Sequence, residues 1–282
     1  MSKRRRTRRI AICVDDFGLH DGVNQAVLRL AGMQRLNAVG CMVGAPGWRL
    51  GHAALDELDR ERIDIGLHLD LTEHPIDRAL RLPLGQLIMR AYARRLDRAR
   101  VAREIAAQLD AFEAATGRRP DYVDGHQHVH QLPVIRGLLL DALQQRADPA
   151  GRRPWLRRTL PPPALRAGLK PRVIGWLGAA ALGRAAQAAG LAQNAHLLGV
   201  YDFAGDAARY RGLLARWLAA AGDGDLLMCH PSLAAGTAHD ALIETRTREY
   251  DQLAAPLFSA LLANERIVLE PIRRIVAEPI AN

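Results

Sequence analysis

The stretch RIAICVDDFG, residues 9–18, decides the fold class. Residues 10–14 form an apolar run that is typical of a buried strand, and two acids, a Phe and a turn-favouring Gly follow directly. Similar short runs recur along the chain and alternate with longer helical patterns. Because this alternation is typical of βα units, and seven or eight such units fit in 282 residues, we expect an α/β protein, a distorted (β/α) barrel of about seven strands that is similar to a TIM barrel.

The organisation along the chain is that of one domain. We predict a disordered basic tail over residues 1–9, a single barrel domain over 10–282 and a basic insertion near 150–175. The candidate strands are 9–14, 38–43, 63–69, 122–129, 156–160, 195–201, 226–229 and 267–271, and the candidate helices lie near 22–33, 50–60, 98–116, 133–146, 175–190, 206–221 and 244–263.

The net charge of +9 is concentrated in two segments. The tail carries six basic residues and residues 152–172 carry seven, with no acid in either segment, whereas acids outnumber bases in the rest of the chain. A general nucleic-acid binder should spread its basic face over the fold. We therefore expect no nucleic-acid partner, although binding of an anionic polymer through the two Arg patches stays open as a non-enzymatic alternative.

The cysteines and the apolar runs bear on the compartment. Cys13, Cys41 and Cys229 are odd in number and widely spaced, which favours a reducing environment. No signal peptide is evident, because acids interrupt the first apolar run, and the later apolar stretch 173–183 has about half the length that crosses a bilayer. We expect a cytoplasmic protein, with peripheral attachment to the inner face of the membrane as a second option.

The segment DGHQHVH, residues 124–130, carries the strongest functional signal. In a strand, side chains two residues apart share a face, so Asp124, His126, His128 and His130 are predicted to project into one space. Four polar groups on a buried face are costly unless a ligand satisfies them. This pattern therefore predicts a metal or catalytic site.

Four other polar residues close predicted strands. Asp15 and Asp16 follow the first strand, and His68 and His230 end later ones. Taken alone, the two acids are better explained by a turn, and each histidine by a structural role. In a βα barrel, however, the carboxyl ends of the strands converge on one mouth where active sites are built. For both adjacent acids to reach that mouth, the first strand should end at about Asp15.

The predicted convergence supplies a metal centre for hydrolysis. One Asp and two His from three strands leave coordination positions for water and substrate. A metal in such a centre lowers the pKa of water and polarises a carbonyl, while a carboxylate takes a proton and a histidine protonates the leaving group.

Four motifs resemble those of the YdjC-like carbohydrate deacetylases: VDDFG (14–18), GLHL (66–69), DGHQHVH (124–130) and MCHPS (228–232). They occur in the family's order, although the family often has Ser at Gly125 and His at Gln127. The resemblance implies a distorted βα barrel and hydrolytic removal of acetyl from an N-acetylated amino sugar by attack of metal-bound water. The expected substrate is N-acetylglucosamine in an oligosaccharide or a glycolipid.

The resemblance also implies residue roles. It assigns one divalent metal to Asp16, His68 and His126, the base to Asp15 and the acid to His230. Asp124, His128 and His130 are expected to contact substrate or to orient the ligands. The family implies Mg²⁺, whereas two imidazoles and a carboxylate suit Zn²⁺ better by ligand softness, and both ions stay open.

Other functions and partners remain open at this stage. A metal-dependent phosphoesterase could use similar ligands, but the acids for a second metal are not evident. The basic segment 152–172 is either a solvated insertion or, with Trp155 and the apolar helix near 175–190, a surface that docks on an anionic membrane. Besides the N-acetylated sugar, a second copy of the chain in a homodimer is a candidate partner.

Overall fold

The structure is a computed structural model that describes residues 6–146, 153–166, 173–234 and 240–277. Strands form at all eight predicted positions, although most end earlier than predicted. They are β1 (Arg8–Phe17), β2 (Ala38–Cys41), β3 (Asp64–Leu69), β4 (Tyr122–Gly125), β5 (Trp155–Leu156), β6 (Leu197–Leu198), β7 (Leu226–Cys229) and β8 (Ile267–Leu269).

The strands form one parallel sheet in the order β5-β4-β3-β2-β1-β7-β6, and β8 pairs with the first residues of β1. The sheet curls into a half-barrel. Its two edges are joined by isolated hydrogen bonds: Leu197 N donates to Leu160 O over 2.8 Å, and Arg158 N donates to Asn194 Oδ1 over 2.7 Å. The predicted α/β fold, a distorted parallel barrel, is confirmed.

Helices cover the outside of the sheet, and among those in the described residues two were not predicted. These are α3, which is amphipathic, and the short α10; the predicted helix 244–263 divides at Pro256, which begins a new helix. The helices are α1 (Asp21–Gly32), α2 (Trp48–Gly51), α3 (Leu84–Tyr92), α4 (Arg98–Thr116), α5 (Ile135–Gln145), α6 (Ala180–Ala188), α7 (Ala207–Ala220), α8 (Ile243–Ala254), α9 (Pro256–Asn264) and α10 (Ile272–Ala277), with 3-10 turns at His52–Glu57 and His126–Gln131 and a π turn at Gly175–Ala179.

Two hydrophobic clusters follow from the strand periodicity. Ile10, Ile12 and Val14 of β1 belong to the large cluster between the sheet and the helices, whereas Ala11 and Cys13 belong to a small cluster inside the barrel. Asp15 continues this inward series. The small cluster also contains Ala38, Tyr122, Trp155, Leu197, Leu226, Met228, Ile272 and Ile275.

Two predictions for the basic segments are wrong in part. β1 begins at Arg8, where Arg8 pairs with Glu265 at 3.0 Å and Arg9 with Asp223 at 3.2 Å, so the end of the predicted disordered tail is strand. In the segment 152–172, Trp155 and Arg157 are buried, at 2% and 0% exposure, and available neither to solvent nor to a membrane. Arg152 and residues 167–172 of that segment lie outside the described residues.

None of the helices in the described ranges combines the length and the apolar character needed to cross a bilayer.

An aromatic pair fills the barrel beneath its mouth, and a glycine makes room for it. Tyr122 stacks on Trp155 with ring centroids 4.2 Å apart. Gly66 on the neighbouring strand faces this ring: a Cβ there would lie 2.4 Å from Tyr122 Cδ1. Because the ring is held between the strand and Trp155, it cannot move aside.

We expect Gly66→Ala to lower the free energy of unfolding by about 1–3 kcal/mol, through overpacking against Tyr122. Gly85→Ala in α3 is the matched control, since a Cβ at Gly85 meets nothing within 4 Å and Ala is the better helix former. Urea denaturation of both variants measures the difference. Equal stability of the two variants would contradict the packing argument.

Candidate active site

A bulge in β1 brings two consecutive carboxylates to the mouth of the barrel. Val14 pairs with Val39 and Phe17 with Cys41, so β1 holds one more residue than β2 over this stretch. Asp16 has φ +68, which is uncommon for a residue other than Gly. The strand therefore continues beyond the expected end at Asp15, and the bulge rather than the strand end turns both acids inward.

A cavity of about 1160 Å³ opens at the carboxyl ends of the strands. Its lining includes the acids of β1 and histidines that follow or belong to three other strands, as the sequence predicts. The residues expected at the site that line it are Asp15, Asp16, His68, His126, His128 and His230.

Three of these side chains form a compact cluster. Asp16 Oδ1 lies 3.0 Å from His126 Nδ1 and 3.4 Å from His68 Nε2, and all three groups are buried. Two ligands bound to one ion at about 2.1 Å, with tetrahedral or octahedral angles, are about 3.0–3.4 Å apart. The cluster thus fits a single divalent metal.

The second nitrogen of His68 supports this fit. His68 Nδ1 donates to Asp124 Oδ1 over 2.7 Å, which leaves Nε2 to face Asp16. A ligating histidine commonly gives its other N–H to a carboxylate, which fixes the tautomer and the ring. Asp124 lies near the end of β4 and is buried, so its carboxylate fixes the ring of His68; that it orients a metal ligand in this way stays a prediction.

Arg157 connects the two carboxylates nearest to this cluster. Its two terminal nitrogens each lie 2.6 Å from an oxygen of Asp15, and Nη2 lies 2.7 Å from Asp124 Oδ2. Burial by itself would raise the pKa of the Asp15 carboxyl, but Arg157, with His68 and His230, holds that pKa below its ordinary value. Asp15 is therefore ionised at neutral pH and able to accept a proton.

Arg157 also argues against a second metal. Asp15, His68 and Asp124 form another group with suitable ligand atoms, but the guanidinium binds both of its carboxylates. A cation there would meet a buried positive charge. This arrangement does not favour the two-metal phosphoesterase alternative.

His230 directly follows the carboxyl end of β7 and lies near Asp15. His230 Nε2 lies 3.9 Å from Asp15 Oδ2, and Phe203 packs edge-on against its ring with centroids 5.3 Å apart. The backbone N–H of His230 donates to buried Glu249 Oε2 over 2.6 Å. Burial lowers the pKa of His230 from its ordinary value, against the opposing charges of Asp16, Glu249 and Asp15.

Arg246 of α8 fixes the outer oxygen of Asp16. Its Nη2 lies 2.7 Å from Asp16 Oδ2, and its Nε lies 2.7 Å from Asp240 Oδ2. Burial alone would raise the pKa of Asp16, but Arg246 and His126 outweigh it and keep that pKa well below its ordinary value. Oδ1 alone is left to face the two imidazoles.

The predicted strand through DGHQHVH is wrong beyond Gly125. A 3-10 turn follows over His126–Gln131, with φ +52 at Gln127 and +61 at His128. His126 and His128 line the cavity, but His130 is fully buried and its Nε2 donates to the carbonyl of Arg157 over 3.0 Å. His130 thus supports the backbone of Arg157 and does not contact the cavity.

The sequence matches the family model of the YdjC-like protein over residues 9–264. The chain belongs to the YdjC-like family. This confirms the resemblance that the four motifs carry.

Curated relatives of this YdjC-like chain cover part of it. The chitooligosaccharide deacetylase of Yersinia enterocolitica is 30% identical over 147 residues, which is 50% of this chain and 57% of that protein. The chain therefore matches little more than half the length of that relative.

Solved structures show the same fold over nearly the whole chain. A candidate cellobiose-phosphate cleavage protein from Enterococcus faecalis V583 is 19% identical, with a TM-score of 0.68 and coverage of 96% of this chain and 99% of that chain. The Xyl-CE4 domain of a xylanase from the hindgut metagenome of Trinervitermes trinervoides is 9% identical, with a TM-score of 0.51, covering 98% and 93%.

Several residues of the site were missed in the sequence. Arg157 directly follows β5, so the strand-end rule that indicates His68 and His230 applies to it as well, but it lies in the basic segment 152–172, which is predicted to be a solvated insertion or a membrane-docking surface. Arg246 and Glu249 lie within α8, where nothing in the local pattern separates them from surface charges. Glu73 lies in the loop after β3 and has no signal of its own.

We expect Arg157→Met to lower the free energy of unfolding by about 3–5 kcal/mol, because Asp15 and Asp124 would remain buried without their cation. Arg216→Met removes an exposed charge of α7 and should change stability little. Urea denaturation at neutral pH compares the two. An Arg157→Met protein as stable as the control would show that the buried ion pairs do not hold the site together.

Metal binding should tighten as the pH rises. Burial would lower the pKa of both imidazoles, but the nearby carboxylates outweigh it: Asp124 and Asp15 raise the pKa of His68 to about 10, and Asp16 raises that of His126 well above its ordinary value. A metal must displace these protons, so we expect about 10-fold tighter binding per pH unit for each proton released, between about pH 6 and 8.

Calorimetric titration of the metal-free protein with Zn²⁺, in buffers of different ionisation enthalpy, counts the protons that are released. An affinity independent of pH would contradict the assignment of these two rings as ligands.

Proposed function

We propose that this YdjC-like protein is a metal-dependent carbohydrate deacetylase that hydrolyses the acetyl amide of an N-acetylated amino sugar. One observation carries the proposal: an ionised Asp15 and His230 lie 3.9 Å apart beside the cluster of Asp16, His68 and His126, at the base of an open cavity. The proposed base, acid and metal ligands can therefore all contact one acetyl amide group of a bound substrate.

The metal ligands in this proposal are Asp16, His68 and His126. A divalent ion, Mg²⁺ by family or Zn²⁺ by donor set, would polarise the acetyl carbonyl and lower the pKa of water. The ion pair with Arg246 and the hydrogen bond to Asp124 hold two of these ligands in place before any ion binds.

The proton transfers are assigned to Asp15 and His230. Asp15 accepts a proton from water as the water oxygen forms its bond to the acetyl carbon. Because its lowered pKa leaves His230 neutral at rest, His230 first takes up the proton that Asp15 has accepted, across the 3.9 Å between them. It then donates this proton to the amide nitrogen as the C–N bond breaks, so that acetate and the free amine leave. Arg157 keeps Asp15 ionised, and Glu249 and Phe203 hold His230 against it.

The cavity supports a substrate with an apolar part as well as a sugar. Besides the histidines and acids, its lining includes the apolar side chains of Leu84, Ile88 and Leu177. This apolar lining is close to exposed Trp176, which accepts a hydrogen bond on its carbonyl from Tyr92 Oη. Relatives named chitooligosaccharide deacetylase support the oligosaccharide, whereas the apolar lining favours a glycolipid.

A reducing, cytoplasmic compartment belongs to the proposal. Cys13, Cys41 and Cys229 are all buried, and none of them forms a disulfide. Buried thiols without disulfides are usual for proteins of that compartment.

We expect Asp15→Asn to reduce kcat by about 10²–10⁴-fold with metal bound, because the amide cannot accept the proton of water. His230→Ala should reduce kcat by a comparable factor, because the proton donor to the amide nitrogen is removed. Asp56→Asn, at an exposed position in the 3-10 turn after α2, is the matched control and should retain activity.

The measurement is acetate released from N-acetylglucosamine oligomers and from an alkyl glycoside of N-acetylglucosamine, with protein reloaded with Mg²⁺ or Zn²⁺. Faster release from the alkyl glycoside would assign the glycolipid, and faster release from the oligomers the oligosaccharide. If metal-loaded protein released acetate from neither, the proposed activity would be wrong.

A further inference from the structure

The two imidazoles of the metal cluster are held differently. The Nδ1 of His68 meets Asp124 inside the barrel, but His126 turns its Nδ1 toward Asp16 and points Nε2 the other way. In the described part of the chain, Nε2 of His126 is buried and has no partner with full hydrogen-bond geometry. The nearest carboxylate is Glu73, whose Oε1 lies 3.3 Å away.

Metal binding decides which nitrogen of His126 carries the proton. A neutral imidazole has one N–H and one lone pair. If Nδ1 gives its lone pair to a metal shared with Asp16, the proton must lie on Nε2. A buried N–H then needs an acceptor, because leaving it unpaired costs free energy.

Glu73 lies where an acceptor for the Nε2–H of His126 is needed. Gln127 Nε2 donates to Glu73 Oε1 over 3.1 Å, so the carboxylate is held beside the ring. Gln127 has the left-handed backbone of the turn that begins at His126, and its side chain reaches Glu73 from there. Strained backbone of this kind persists where the surroundings determine it, often at functional sites.

The loop that carries Glu73 is itself anchored. The carboxylate of Asp70 accepts hydrogen bonds from the backbone N–H groups of Thr72, Glu73 and His74, at 2.7, 3.1 and 2.5 Å. Two buried side chains of α4 complete the anchor: Gln108 accepts from the N–H of Asp70, and Glu104 accepts from the N–H groups of Ile76 and Asp77.

We propose that Glu73 is a positioning residue of the metal site, which accepts the Nε2–H of His126 and so holds Nδ1 toward the metal. Glu73 would hold His126 as Asp124 holds His68. Unlike Asp124, it lies at the cavity wall, with 40% of its side chain exposed. The inference rests on the proposed metal-dependent function. Nothing in the sequence pattern around Glu73 distinguishes it from a surface acid.

The test compares the Zn²⁺ affinity of metal-free protein by calorimetric titration. Glu73→Ala should weaken binding by about 10-fold or more, as is usual when a group that orients a ligand is removed. Glu73→Gln keeps an oxygen that accepts from Nε2–H and should bind within about threefold of the parent. Because Glu73 is partly exposed, the melting temperature of the metal-free protein should not change.

The control is Glu57→Ala, which removes one exposed carboxylate of the 3-10 turn His52–Glu57 and the same unit of charge. A Zn²⁺ affinity of Glu73→Ala equal to that of the parent would overturn the proposal. So would equal losses in Glu73→Ala and Glu57→Ala, or in Glu73→Ala and Glu73→Gln, since those results would come from charge alone.

The outcome is separable from that of the deacetylase assay. A parent protein that binds Zn²⁺ and loses affinity through Glu73→Ala, but releases no acetate from any sugar, would contradict the proposed activity and support the role of Glu73. If instead the parent releases acetate and Glu73→Ala binds Zn²⁺ as tightly as the parent, the deacetylase activity is supported and the role of Glu73 is contradicted.

Discussion

Arg157 places a guanidinium inside the barrel, where it binds two buried carboxylates at 2.6–2.7 Å. Burial by itself would raise the pKa of the Asp15 carboxyl, and Arg157 is the largest charge that opposes this rise; Asp124 shares the same buried cation. Through Asp124 this ion pair orients His68, and through Asp15 it faces His230. The candidate base, one metal ligand and the candidate acid therefore depend on one cation.

The second buried cation of the site, Arg246, belongs to a helix outside the barrel. Arg246 lies on α8 and binds the oxygen of Asp16 that faces away from the imidazoles. Because Asp16 lies in a bulge with a left-handed backbone, its side chain needs this fixed partner to keep a single orientation. The bulge and the turn after His126 both carry unfavourable backbone conformations, and both are adjacent to proposed ligands.

The strand-end rule accounts for the predicted site residues that the structure brings to one cavity. Asp15, Asp16, His68, His126 and His230 lie at the carboxyl ends of parallel strands, and these ends meet at one edge of the sheet whatever the intervening helices do. The period-two pattern of DGHQHVH, in contrast, predicts too long a strand. β4 can pair only where its neighbours extend, and β5 has two residues, so no ladder supports a strand beyond Gly125.

Charge composition was the weaker guide. Residues 152–172 are basic along their length, but Trp155 stacks inside the barrel and Arg157 pairs with carboxylates that lie 142 and 33 positions earlier in the chain. A local pattern cannot show that a cation is paired when its partners are distant in sequence.

By itself, the sequence determined the alternation of strands and helices, the parallel barrel and the polar residues at its mouth, because hydrophobic periodicity and strand ends are local properties of the chain. Only the tertiary structure decided which oxygen of Asp16 and which nitrogen of each histidine face the cluster, and which of the many arginines and acids hold them. Those choices depend on contacts that exist only after the sheet has curled and α8 has packed against it.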